Sequence, residues 1–329
     1  MKNKLIISIL FFAVAFTACE NNDLMPELSA TINPAHVVNT IKDTLVVYKG
    51  QEIEFVLSGD SDLLTFFSGE GGHVYANRNR TVAPGTPKMD FSYAPGRVTV
   101  DHNVDVLAST DFKGVYDSIN IKTAKWDNIT PPDLKAYLNS FTAKPISTID
   151  LSKYGGGQPV FIAFRLVVKS SAVNTNPTFT NLLIRNYQND GIVSDVVNGV
   201  AASGMSFVTL SENAKWKLKG SGNAFWKISG VSLTVTVSPF DAATVNPIYN
   251  ATDGRIHELW AVSKVLYLDK ALPDTGVTIK NIQQAISNYK YTYTKTGVYN
   301  VTFVVANTGS TGIKGTDVKN LILKVIDKP

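Results

Sequence analysis

Short runs of β-branched and aromatic residues recur along most of this chain, separated by Gly, Pro, Asn and Asp. Many of the runs alternate apolar with polar positions. Successive side chains of a strand point to opposite faces, so a period of two marks a half-buried strand. Residues 43–48 are a candidate strand, followed by a turn at Lys49-Gly50. Residues 52–57 place Ile53, Phe55 and Leu57 on one face, and 63–67 form a short apolar strand. Residues 98–107 alternate through Val98, Val100, Val104 and Val106, with a break at 101–103. Residues 160–168 are almost continuously apolar, which predicts a central strand covered on both faces. Further strands are predicted over 179–185, 207–210, 216–218, 226–237, 256–268, 289–293, 299–305 and 318–326. Only 132–141, with proline near a first turn, and 282–287 read as helical. The chain is therefore expected to be all-β with antiparallel sheets.

Strand supply sets the domain organisation. Residues 35–95 provide about three strands, and the final stretch about three more, too few for two separate sandwiches. The middle provides enough for a sandwich of its own. The expected arrangement is a discontinuous domain over 35–95 and 281–329 around an inserted domain over 96–280, in preference to three consecutive domains.

The opening residues MKNKLIISILFFAVAFTACENND form a secretory signal: Lys2 and Lys4, an apolar stretch too short to span a bilayer, then small residues. Phe16-Thr17-Ala18-Cys19 resembles the processing box of bacterial lipoproteins, with Cys19 lipidated as the mature N-terminus after removal of 1–18. Glu20-Asn21-Asn22-Asp23 resembles the signal that sends Bacteroidetes lipoproteins to the outer leaflet of the outer membrane. This implies a lipid-anchored protein facing the cell exterior, with 19–34 as a tether. Cys19 is the single cysteine, so an internal disulfide framework and a multi-cysteine metal site are both excluded. With 31 basic and 27 acidic residues and no basic block, nucleic acid is not an expected partner.

The stretch 291–307, YTYTKTGVYNVTFVVAN, resembles the final hairpin of a polycystic-kidney-disease-type immunoglobulin-like domain. Gly297 is suited to a positive φ in the turn, and Tyr299, Val301, Phe303 and Val305 share a face. FVLSGDSDLLTFFSGE, 55–70, occupies the place of that family's second and third strands, although the family's usual tryptophan is absent. DVLASTDFKG (105–114), WDNIT (126–130), VFIAFR (160–165) and WKISGV (226–231) resemble jelly-roll modules of secreted adhesins. Ser229 stands where those modules carry Asp. As a whole the chain resembles an uncharacterised family of Bacteroidetes surface lipoproteins, which implies association with an outer-membrane glycan-uptake complex.

No catalytic signature is present. His36, His73, His102 and His257 are scattered, and there is no Gly-x-Ser-x-Gly elbow. Glu70, Asp111, Asp127, Asp190 and Glu258 are available carboxylates that read as turn and solvent-facing residues. A non-catalytic protein that binds a polysaccharide or oligosaccharide is expected, with a protein-binding adhesion or scaffold module as the alternative. Sugar binding needs flat aromatic faces beside amide and charged groups. Tyr75, Asn77, Arg78 and Asn79 in a Gly-rich loop, and Tyr187 and Asn189 in a polar loop, meet that description. Trp216 and Trp226 flank a third candidate, 219–223, with core packing as their other role; Trp126 and Trp260 are assigned to core. Asp111, Asp117 and Asp127 are candidates for a structural calcium ion, and no other cofactor is expected.

Overall fold

The structure is a computed structural model describing residues 25–98, 102–168, 176–211, 224–237, 257–309 and 312–329. It is largely all-β and built from several sheets, consistent with sandwich packing. It divides into two compact units. One comprises the described residues up to Asn79 together with Pro273–Pro329; the other is Arg80–Leu272.

In the first unit, a three-stranded sheet has the order Ser29–Ile32, Glu52–Ser58, Asn288–Thr292. A six-stranded sheet has the order Val277–Lys280, Leu63–Phe67, Gly297–Gly309, Gly312–Ile326, Thr44–Tyr48, Asn39–Ile41. Alternation drives the packing: Ile53, Phe55 and Leu57 from one sheet meet Phe66, Val301, Phe303 and Val305 from the other. The rings of Phe55 and Phe303 lie 5.3 Å apart in edge-on contact, a favoured aromatic geometry.

Four expectations change here. Residues 29–34 are not all tether: Ser29–Ile32 pairs antiparallel with Glu52–Ser58, and Leu28 and Ile32 are buried in the core. The stretch 291–307 is not a hairpin, because Asn288–Thr292 and Gly297–Gly309 belong to different sheets. Gly297 is absent from the positive-φ residues and opens a strand, where a Cβ would stand 3.3 Å from the Tyr299 ring. Residues 282–287 hold a turn at 282–283 and no helix.

The second unit also packs two sheets over one core. The path of its seven-stranded sheet runs Ile149–Asp150, Gly85–Ala94, Thr178–Gln188, Ser232–Val237, Ala224–Ser229. Val193–Asn198 and Lys144–Pro145 pair alongside that path. The five-stranded sheet has the order Ser206–Ser211, His257–Val262, Phe161–Val168, His102–Ser109, Asp127–Asn128. Phe161–Val168 is central, with Ile162, Phe164 and Leu166 turned into the core. They meet Met89, Phe91, Phe179 and Ile184 of the facing sheet.

The division falls at 79/80 and 272/273, where the sequence placed it at 95/96 and 280/281. The reason is pairing: Gly85–Ala94 is laddered to Thr178–Gln188, and Val277–Lys280 to Leu63–Phe67. Residues 226–237 are a hairpin of two strands, turning at Gly230 with φ +58°. A helix at Ser118–Thr123 was not expected, and the one within 132–141 is the short segment Pro132–Ala136.

Candidate functional site

The five-stranded sheet presents a second face, opposite the main core. Strand alternation sends Leu107, Phe161, Ala163, Val208, Leu210, Trp260 and Val262 outward. Those side chains do not meet solvent. They form a small second core with Phe112 and Ile121, and with the partly buried Tyr116 and Trp126. The loop that supplies these residues carries the helix Ser118–Thr123, whose first turn is capped by the Asp117 carboxylate accepting from Asn120 N at 2.7 Å. The apolar part of the face is thereby covered, while its polar end carries Asp105, Arg165 and Glu258.

Between cover and polar end lies a cleft of about 320 Å³. Its lining includes Trp126, Trp260, Arg165, Glu258, Asn128 and Lys122. Strand register sets the row: Arg165 is directly opposite Asp105 on one side and Trp260 on the other. Arg165 donates to Asp105 Oδ2 from Nε at 3.2 Å and from Nη2 at 2.7 Å. Asp105 is 3 % exposed, so burial alone would raise its carboxyl. The Arg165 guanidinium, aided by Asn128 Nδ2 at 3.0 Å and Lys135 Nζ at 3.2 Å, outweighs that and holds it below the usual carboxylate range. Glu258 accepts from Trp260 Nε1 at 2.9 Å and lies 3.8 Å from Arg165 Nη1. The guanidinium also faces the Trp260 ring at 5.4 Å, and the two indoles are 5.3 Å apart. Trp126 Nε1 donates to Ile121 O at 3.0 Å. The cleft therefore joins fixed indole surfaces to a guanidinium, a carboxylate and an amide, each locked by neighbours.

The sequence-based candidates lie elsewhere. In the first unit, Arg78 stacks over the Tyr75 ring at 4.0 Å and donates to Tyr75 O. Phe67 meets the same ring edge-on at 5.2 Å. Asn77 O accepts from Asp274 N at 3.2 Å, and Asn79 is exposed in the turn that follows. In the second unit, the polar loop expected at 186–190 begins later, because Asn186, Tyr187 and Gln188 end the strand Thr178–Gln188. Tyr187 lines a separate open groove with Arg185, Val193, Asp195, Lys270 and Leu272, and Lys88 lies 5.3 Å from its ring. Asn189 N donates to Pro84 O.

The three calcium candidates each have other work. Asp111 accepts from Ser109 Oγ and Lys125 N, Asp117 caps a helix, and Asp127 accepts from Lys153 Nζ and the Tyr154 hydroxyl. No group of three or more His, Cys, Asp or Glu able to hold a metal occurs among the described residues. Of the remaining carboxylates, Glu70 accepts from the Tyr291 hydroxyl and Asp190 pairs with Arg80. His36 Nδ1 accepts from Glu54 N, and His73 Nδ1 contacts Thr275 O. Cys19, Trp216 and residues 219–223 lie outside the described residues.

Trp126, Trp260 and Glu258 were noted in the sequence without being joined into a site. Arg165 carried the missed signal: it is the single charged residue of the central strand Phe161–Val168.

These features define a two-unit, largely all-β protein with an indole-lined cleft on one sheet. The chain belongs to the family described as Domain of unknown function (DUF5017), whose model matches residues 29–204. No curated protein matches it.

Proposed function

We propose that this chain is a non-catalytic cell-surface lipoprotein that binds a polysaccharide or oligosaccharide, alone or within an outer-membrane glycan-uptake complex. In this reading Cys19 carries the lipid anchor, the first unit is immunoglobulin-like and the second is a jelly roll. The cleft supports it: two indoles stand beside Arg165, Glu258 and Asn128 in a space of about 320 Å³. Indole faces cover the apolar faces of a sugar ring, while the charged and amide groups fix its hydroxyls.

A glycan-array screen on a soluble form beginning at Met25 tests this. Saturable binding to one glycan without product release is expected. Trp126→Ala and Glu258→Gln should each weaken it about tenfold or more. Loss on Tyr75→Ala with Arg78→Ala, and not on the cleft changes, would move the site to the 70–80 loop. No binding by folded protein would overturn the reading. The second reading, a protein-binding module, is favoured by Phe225, Ile228 and Val231, exposed at 41 %, 37 % and 73 % on the hairpin of the seven-stranded sheet.

A further inference from the structure

The open groove at Tyr187, of about 580 Å³, shares no lining residue with the indole cleft. Its floor is the outer face of the seven-stranded sheet: along Thr178–Gln188, Ile184 and Asn186 are buried, and Arg185 and Tyr187 alternate with them on the other side. Register sets a row of charges across four strands, in the order Asp150, Lys88, Arg185, Asp195. The two cations stand directly opposite each other in the middle, and like charges so placed destabilise a sheet. Asp195 balances Arg185, accepting from its Nε at 2.8 Å, and its other oxygen accepts from Asn198 Nδ2 at 2.8 Å. Asp150 does not do the same for Lys88: it accepts from Ser152 N at 2.7 Å and forms no ion pair with the lysine. Lys88 lies instead 5.3 Å from the Tyr187 ring. Lys270 is exposed on the groove wall, and among the described residues neither lysine has an ion-pair partner. Two positive charges are thus left without a carboxylate in a row where a neutral polar residue would cost the sheet less. Val193 and Leu272, 47 % and 60 % exposed, add apolar surface to the same groove.

We propose that this groove binds a hexuronate residue of an acidic polysaccharide, with its carboxylate drawn to Lys88 and Lys270 and its ring carbons on Tyr187, Val193 and Leu272. The inference rests on the glycan reading and extends it to a second site. A carboxylate supplies the missing negative charge and accepts from ammonium donors, in bonds stronger than those between neutral groups. The aromatic and aliphatic surface covers the apolar face of the ring that carries it. A neutral hexose offers the ring without the charge. A bare inorganic anion offers the charge and leaves the apolar surface uncovered.

The test is calorimetric titration of the full chain at neutral pH with oligosaccharides of galacturonate, glucuronate and mannuronate, each beside its carboxyl-reduced neutral form. At least one acidic form should bind about tenfold or more tighter than its reduced counterpart. That preference should shrink as salt is raised, because the charges are exposed. Lys88→Gln combined with Lys270→Gln should remove it. Equal binding of acidic and reduced forms, no binding of any acidic form, or a preference retained in the folded double variant overturns the proposal. Loss of the preference on Trp126→Ala and not on the lysine changes would place the acid in the indole cleft and overturns it as well. A preference lost only with the lysines supports it, even where the cleft itself binds no glycan.

Discussion

A carboxylate inside a protein keeps its charge only if its neighbours replace the lost water. Asp105 is such a group, and Arg165 is its main replacement, making two hydrogen bonds to one oxygen. Arg165→Ala would leave Asp105 buried beside only Asn128 and Lys135. We expect a loss on the order of 2–3 kcal/mol, the partial exposure of Arg165 keeping it below the range for a fully buried pair. Urea unfolding would measure it. The same pair sets an acid limit. Because the folded carboxyl lies below its ordinary value of 3.8, its contribution is full above that value and is lost as pH falls through the lower folded one. Asp105→Asn should therefore narrow its stability deficit as pH is lowered from about 5 to about 2. A deficit that stays constant over that range would remove Asp105 from the acid response. At this scale the sequence was readable where one residue acted alone, as with the inward valines of strand His102–Ser109. It was not readable where register brings distant residues together: Asp105, Arg165 and Trp260 meet only because three strands align them.

Strands differed in how openly they announced themselves. Leu63–Phe67 and the core face Val301, Phe303, Val305 follow directly from apolar period. Gly85–Ala94 went unread although Met89, Phe91 and Tyr93 alternate, because Gly85 and Pro87 look like loop residues at its start. The candidate cleft suffered the opposite error. Tryptophans on apolar runs were assigned to core, and Trp260 is buried as expected, but its indole also walls the cleft. Ser29–Ile32 gives a test at this level. It supplies an edge strand, and Ile32 opposes Phe55. A form beginning after Pro34 should lose about 2–4 kcal/mol in the first unit relative to one beginning at Met25, through exposure of core that Leu28 and Ile32 cover. Equal urea midpoints for the two forms would show the strand to be dispensable.

Each unit has its own core, and each can be probed separately. Phe303 and Phe164 are both fully buried, one in each unit. Replacing either with alanine should cost about 3–5 kcal/mol locally. Differential scanning calorimetry combined with pulsed proteolysis should show Phe303→Ala exposing sites in the first unit at lower temperature, and Phe164→Ala sites in Arg80–Leu272. Simultaneous loss of both units in both variants would show one cooperative structure.

The separation of the first unit into two chain segments also has a consequence in time. During synthesis, Arg80–Leu272 emerges as an uninterrupted piece and has all its described strands before Pro273 is made. Thr44–Tyr48 must wait for Gly312–Ile326, its parallel partner, and Leu63–Phe67 for Gly297–Gly309. Until then Val47, Phe55 and Phe66 lack the surface that covers them in the finished fold. The closing strands thus act as a latch. A chain clipped or stalled short of them would carry a finished insert on an open, sticky host, a state that chaperones and proteases can distinguish from the complete molecule.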